Sequence, residues 1–174
     1  MTRELRRIHA GKVVDLDVES VTLPNGERVE LELVRHPGGA AIVAIDLQGR
    51  VCLLRQYRHA VGGWLLELPA GKLEQAEPPL ATAQRELAEE AGVAAGLWTD
   101  LGRVVSSPGV FTEVVHLYLA RELMPASAQP ERGEVFEVNW IPLADACRLA
   151  LDGTVTDAKT VIGLLRADAW LRSR

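Results

Sequence analysis

Two apolar runs in immediate succession, Ala40 to Leu47 and Val51 to Tyr57, separated only by Gln48-Gly49-Arg50, constrain this chain more than any other feature. A strand with one wet face alternates apolar and polar residues, so runs without alternation have to be covered on both faces. The pair reads as a hairpin at the centre of a sheet with helices on each side. A length of 174 residues with 48% hydrophobic content supports one core of that kind and is too short for two full domains.

The flanking segments supply the other layers. Residues Lys12 to Arg35 alternate with period two, Val14, Leu16, Val18 and then Val29, Leu31, Leu33 on one side, broken at Pro24-Asn25-Gly26, which is a β-hairpin. Trp64 to Leu68 is a short strand ended by Pro69-Ala70-Gly71. From Leu80 to Ala91 the period becomes helical, with Leu80, Ala83, Leu87 and Ala91 on one stripe, Pro78-Pro79 before it and Gly92 after it. Val114 to Ala120 and Val135 to Ile141 read as strands around a polar loop from Met124 to Gly133, and Pro142 to Leu151 and Thr156 to Leu171 as helices. The expected architecture is α/β (α+β), a mixed sheet covered by helices on both sides, with residues 1–38 as an N-terminal β-hairpin region and residues 39–174 as the main domain. Trp64 and Trp140, in apolar strands, read as core.

Charge and composition narrow the function. A formal net charge of −5 argues against nucleic acid as a partner, because that affinity comes from clustered Lys and Arg. An anionic substrate would need a bound cation or a local Arg cluster. No apolar run reaches the ~20 residues of a membrane span, and Met1-Thr2-Arg3-Glu4-Leu5-Arg6-Arg7 lacks the apolar core of a signal peptide, so the expected location is cytoplasmic. Cys52 and Cys147 are too few for a disulfide framework or a thiolate zinc site and read as core thiols. His9, His36, His59 and His116 show no ligand spacing.

One helix breaks a local rule. Glu86, Glu89 and Glu90 stand at i, i+3 and i+4 and project from one face, away from the apolar stripe. Like charges at this spacing cost a few tenths of a kcal/mol each, and negative charge in the last turn opposes the macrodipole by about 0.3–1 kcal/mol. The plain alternative is a solvated acidic face. The compensation that gives the crowding a purpose is a divalent cation, Mg²⁺ first, whose hard oxygen preference suits carboxylates.

Gly71, then Glu77, then Arg85-Glu86-Leu87-Ala88-Glu89-Glu90-Ala91-Gly92-Val93 resembles the Nudix box, G-x5-E-x7-R-E-U-x-E-E-x-G-U with U bulky aliphatic, at every fixed position. The resemblance implies an α/β/α sandwich and hydrolysis of a nucleoside diphosphate linked to another moiety, with Mg²⁺ or Mn²⁺ held against the pyrophosphate. It implies Glu86 and Glu90 as main metal ligands, Glu89 as an additional one and the backbone carbonyl of Ala70 as a further oxygen. Arg85 would orient the carboxylates through charge-assisted bonds, while Glu77 and Gly92 are structural.

Pro108, sixteen residues after Gly92, is similar to the mark of the ADP-ribose pyrophosphatase branch, as are Arg55-Gln56-Tyr57-Arg58 and Glu67-Leu68-Pro69-Ala70-Gly71. That branch implies ADP-ribose cleaved to AMP and ribose 5-phosphate, and a homodimer in which the N-terminal region often exchanges between subunits. Many relatives continue with Phe-Ser-Asp-Glu where this chain has Val110-Phe111-Thr112-Glu113, so other substrates stay open: GDP-mannose or another sugar nucleotide, FAD, or NADH. A non-catalytic nucleotide-sensing module is the reading from another class, against which all three box carboxylates stand. Arg58 is the candidate phosphate clamp, since a guanidinium engages phosphate oxygens bidentately, and Glu67 and Glu113 are candidates for ribose hydroxyls or the metal shell. The acidic loop where this branch carries its general base is Pro130 to Glu137, with Glu134 the first choice and Glu137 and Glu131 as alternatives.

Overall fold

The computed structural model describes residues 4–130 and 133–174, so Glu131 lies outside the described residues. The chain divides into two compact units, one of residues 1–38 and 105–114, the other of residues 39–104 and 115–174.

In the first unit, β1 (Glu4–Ala10), β2 (Asp15–Thr22) and β3 (Arg28–Arg35) form an antiparallel sheet in that order. The acidic positions of the middle strand are its buried ones: Asp17 is 1% exposed and Glu19 4%, while Leu16 and Val18 are only half-buried. Arg7 and Arg35 both pair with Asp17, and Arg35 also pairs with Glu19, which satisfies the carboxylates that burial would otherwise penalise. Residues 105–114 join β3 through Val34 N–H to Val110 O at 2.7 Å and Thr112 N–H to Val34 O at 3.0 Å.

The second unit contains β4 (Gly39–Ala44), β5 (Arg50–Arg58), β6 (Gly63–Glu67), β7 (Ala70–Lys72), α1 (Pro79–Ala91), β8 (Val93–Val105), β9 (Val114–Pro125), β10 (Phe136–Pro142), α2 (Leu143–Leu151) and α3 (Ala158–Arg172). One sheet is mixed, in the order β7-β4-β9-β8 with β4 and β9 parallel, and the other is antiparallel, β10-β5-β6. The expected hairpin is therefore corrected. After one bridge between Ile45 and Val51, and Asp46 N–H bonding to Arg50 O at 3.0 Å, β4 and β5 part into different sheets.

Coverage on both faces holds, strand by strand. Ala41, Val43, Val51 and Leu53 pack with Ala146, Cys147 and Ala150 of α2 and Leu164 and Ala167 of α3. Their neighbours Ala40, Ile42, Ala44, Cys52 and Leu54 pack with Ala83 and Leu87 of α1. Period-two side chains with an apolar layer above and below leave no position for a polar residue, which is why the runs do not alternate. Trp140 packs on the α1 side, but Trp64 is 42% exposed, with the Arg55 guanidinium 4.3 Å above its ring, so its assignment to the core is corrected. Strands β1, β7 and β8 have no clear signal in the sequence. No helix among the described residues is long and apolar enough to cross a membrane.

Candidate active site

Helix α1 begins with Pro79 at its first position and ends at Gly92, whose φ of 66° is the left-handed conformation that closes a helix; its N–H bonds to Ala88 O at 3.0 Å. Between these stops the three carboxylates do not share one environment. Glu86 is 8% exposed and Glu90 2%, whereas Glu89 keeps 30% of its side chain accessible, so the reading of a solvated acidic face is overturned for two of the three. A buried carboxylate needs partners. Glu90 Oε2 accepts the Ala70 N–H at 2.8 Å, but Oε1 is buried without a hydrogen-bond partner. Glu86 lies against Gly71 so closely that a Cβ there would collide with its carboxylate.

Arg85 ties the helix to the loop before it. Its Nη1 donates to Glu86 Oε1 at 2.7 Å and to Glu89 Oε2 at 3.1 Å, its Nε and Nη2 bond both oxygens of Glu77 at 3.1 Å, and Nη2 reaches Lys72 O at 3.2 Å. The two bonds from Arg85, with one from Thr82 and one from the Glu74 N–H, hold the Glu77 carboxyl down at about 2. Glu90 is displaced the other way, to about 8, because burial penalises its charge and the charges of Glu86 and Glu134 repel it. Burial raises Glu86 as well, with Glu89 and Glu134 adding to it and Arg85 opposing.

Glu134, half-buried two residues before β10, carries a charge that adds to the repulsion on both buried carboxylates. Glu137 faces elsewhere. Its strand neighbour Phe136 packs on the α1 side, and Glu137, 62% exposed, projects from the other face of the sheet beside Arg55, 3.4 Å away. Pro108 and Glu113 belong to the other unit; Pro108 sits in a turn closed by Phe111 N–H to Ser107 O at 2.9 Å, and Glu113 Oε1 lies 3.5 Å from His36 Nδ1.

Glu67, at the end of β6, is 1% exposed and already engaged. Arg58 grips it with two bonds, Nε to Oε1 at 2.8 Å and Nη2 to Oε2 at 2.9 Å, and Lys159 Nζ adds a third at 2.6 Å. Burial alone would raise Glu67, but these two cations hold it below the usual carboxylate range. The Arg58 charge also acts on Glu90, opposing the effect of burial there. Lys159 escaped sequence reasoning, because 92 residues separate it from Glu67 and nothing local marks it. A weak signal existed in Asp157 and Thr160, whose spacing is that of a helix cap. Asp157 accepts from Thr160 N at 3.1 Å and from its Oγ1 at 2.5 Å, and Thr160 Oγ1 in turn accepts Leu68 N–H at 2.8 Å.

The donor set fits a hard divalent cation. Glu90 offers an unpartnered oxygen, Glu86 a second carboxylate in a glycine-lined cradle, and the guanidinium bonded to the acids of this helix, Arg85, is shared among Glu77, Glu86 and Glu89. Among the described residues no three His, Cys, Asp or Glu side chains converge as a cage.

A mixed sheet between helices, with a loop and helix presenting buried carboxylates, is an α+β domain with a hard-oxygen donor set. The chain belongs to the Nudix family: the model described as NUDIX domain matches residues 35–163. It is 40% identical over 160 residues to the ADP-ribose pyrophosphatase of Bacillus subtilis (strain 168), covering 91% of this chain and 86% of that one. To the ADP-ribose pyrophosphatase of Mycobacterium tuberculosis it is 39% identical over 166 residues, covering 93% and 80%. A crystal structure of an ADP compounds hydrolase superposes with a TM-score of 0.84 at 23% identity, covering 98% of this chain and 92% of that one, a likeness of fold.

Proposed function

We propose that this chain is a hydrolase that cleaves the pyrophosphate of ADP-ribose to AMP and ribose 5-phosphate with Mg²⁺, or Mn²⁺ in its place. The observation that carries it is the buried Glu86 and Glu90 pair beside Ala70 and Gly71, with one carboxylate oxygen left unpartnered. The substrate is supported by two ADP-ribose pyrophosphatases at about 40% identity over nine-tenths of the chain.

A pyrophosphate is a repelling, stable anion, and a bound dication supplies charge neutralisation on its oxygens and a more acidic water. In this reading Glu86 and Glu90 hold the ion, with Glu89 and the Ala70 carbonyl as further oxygens and Arg85 orienting Glu86 and Glu89. Glu134 takes the proton of the attacking water, a role supported by the influence of its charge on both carboxylates. Arg58 keeps donors beyond its fork on Glu67, since a guanidinium carries five N–H groups, and offers them to a phosphate oxygen. Glu67 is the anchor of that clamp rather than a group for ribose hydroxyls. Pro108 and Glu113 remain candidates for substrate selection.

Residues 1–38 would mediate a homodimer, which is supported by exposed apolar side chains there, Leu5 at 48%, Ile8 at 47% and Leu31 at 37%. Free, buried Cys52 and Cys147 support a reducing, cytoplasmic location. The test is incubation of ADP-ribose with the protein and Mg²⁺ in ¹⁸O water. AMP and ribose 5-phosphate with a single label in one of them is the expected result; intact substrate, or turnover unaffected by EDTA, overturns the proposal.

A further inference from the structure

Glu67 carries more positive charge than a buried carboxylate requires. The Arg58 fork alone, at 2.8 and 2.9 Å, would neutralise it, yet Lys159 Nζ adds a contact at 2.6 Å from the first turn of α3. Lys159 is no flexible surface residue that happened to fall there: its side chain is 18% exposed, and its ammonium is shared with Asp157 Oδ2 at 3.0 Å. The same Asp157 oxygen caps α3 through Thr160, and Thr160 bonds the backbone of Leu68 next to Glu67. Seating is tightened at Gly163, where a Cβ would meet Leu68 Cδ1 at 2.7 Å. The ammonium is therefore delivered to Glu67 by a rigid helix start.

The charge count shows what it does. Arg58 and Lys159 against Glu67 and Asp157 sum to zero. Without Lys159 the remaining three carry one net negative charge, three residues along the chain from Ala70 and its bond to Glu90, which is the wrong sign for an approaching pyrophosphate. We infer that Lys159 is a positioning residue for substrate: through Glu67 it fixes Arg58 and leaves the guanidinium's positive charge available to a pyrophosphate oxygen. This rests on the pyrophosphatase reading above.

The experiment compares wild type, Lys159→Gln, which keeps a donor to Glu67 without the charge, and Lys159→Arg, which keeps both. Steady-state kinetics on ADP-ribose are run beside calorimetry with its non-hydrolysable α,β-methylene analogue and, separately, with Mn²⁺ alone. The expected result for Lys159→Gln is a KM and analogue Kd raised about tenfold, the scale of one charge-assisted contact, with kcat within about twofold of wild type. Mn²⁺ alone should bind Lys159→Gln no more weakly than wild type, because removing a nearby cation favours a dication on the carboxylates; a merely structural loss would weaken both. Lys159→Arg should restore analogue binding. Lys159→Met is the second charge-removing variant if the glutamine chain does not fold. Analogue binding by Lys159→Gln equal to wild type, or parallel loss of Mn²⁺ and analogue, overturns the role of Lys159 while leaving the proposed function standing. Wild type that neither binds the analogue nor turns over ADP-ribose overturns the proposed function, and the role of Lys159 with it.

Discussion

Glu90 accepts the backbone N–H of Ala70 on one oxygen, at 2.8 Å, and buries the other without a partner. One bond fixes the carboxylate's orientation across 20 residues of chain, and the free oxygen is what that orientation presents. A group so placed costs stability in the folded protein and is retained for what it binds.

Glu90→Gln is expected to lower kcat on ADP-ribose by about 10² or more, the loss typical of removing one pre-set electrostatic group. The melting temperature without metal should stay level or rise, because the change replaces an acid that is 2% exposed, and whose ionisation burial and Glu86 both oppose, with a neutral side chain of the same shape. Kinetics and a thermal melt on one preparation check both.

Glu134→Gln is expected to reduce kcat by about 10²–10⁴, the range for a lost general base, while Mn²⁺ affinity measured by calorimetry stays close to wild type. Loss of metal binding would move Glu134 into the ligand shell.

Gly71→Ala places a methyl group against the Glu86 carboxylate. The expected destabilisation is about 1–3 kcal/mol, as for other overpacked sites, with activity lost further because Glu86 is displaced. Urea denaturation and turnover measure the two effects.

Glu77 sets an acid limb. Its folded-state carboxyl lies at about 2 against an ordinary 4.5, held there by Arg85. A depressed carboxylate contributes stability that is present above the unfolded value and lost as pH falls through the folded one, so the loss runs from about 4.5 down to about 2. Glu77→Gln should be less stable at neutral pH and should show a shallower decline across that window, read from melts at stepped pH.

The order of the three helices and of seven of the ten strands, the coverage of β4 and β5 on both faces and the glutamate-bearing character of α1 were legible because each is written in local spacing. Periodicity reports which faces are apolar, and a strict motif reports which side chains gather on one helix. It does not report partners. The parting of β4 from β5 into two sheets was hidden because two apolar strands joined by a three-residue turn look the same whether or not they pair beyond it. The burial of Asp17 and Glu19 in β2 was hidden for a similar reason: the arginines that compensate them, Arg7 and Arg35, stand on neighbouring strands.

Within the site the division is the same. Taken alone, the sequence determined that Glu86, Glu89 and Glu90 lie within one turn of a helix bounded by Pro79 and Gly92, since 3.6 residues per turn admits little else. Only the tertiary structure decided that Glu86 and Glu90 are buried and Glu89 is not, that Glu137 faces away beside Arg55, and that Lys159 reaches Glu67. Helical spacing is a property of the local backbone. Burial and charge pairing are properties of whatever packs against it, and here those partners come from segments far off in the chain.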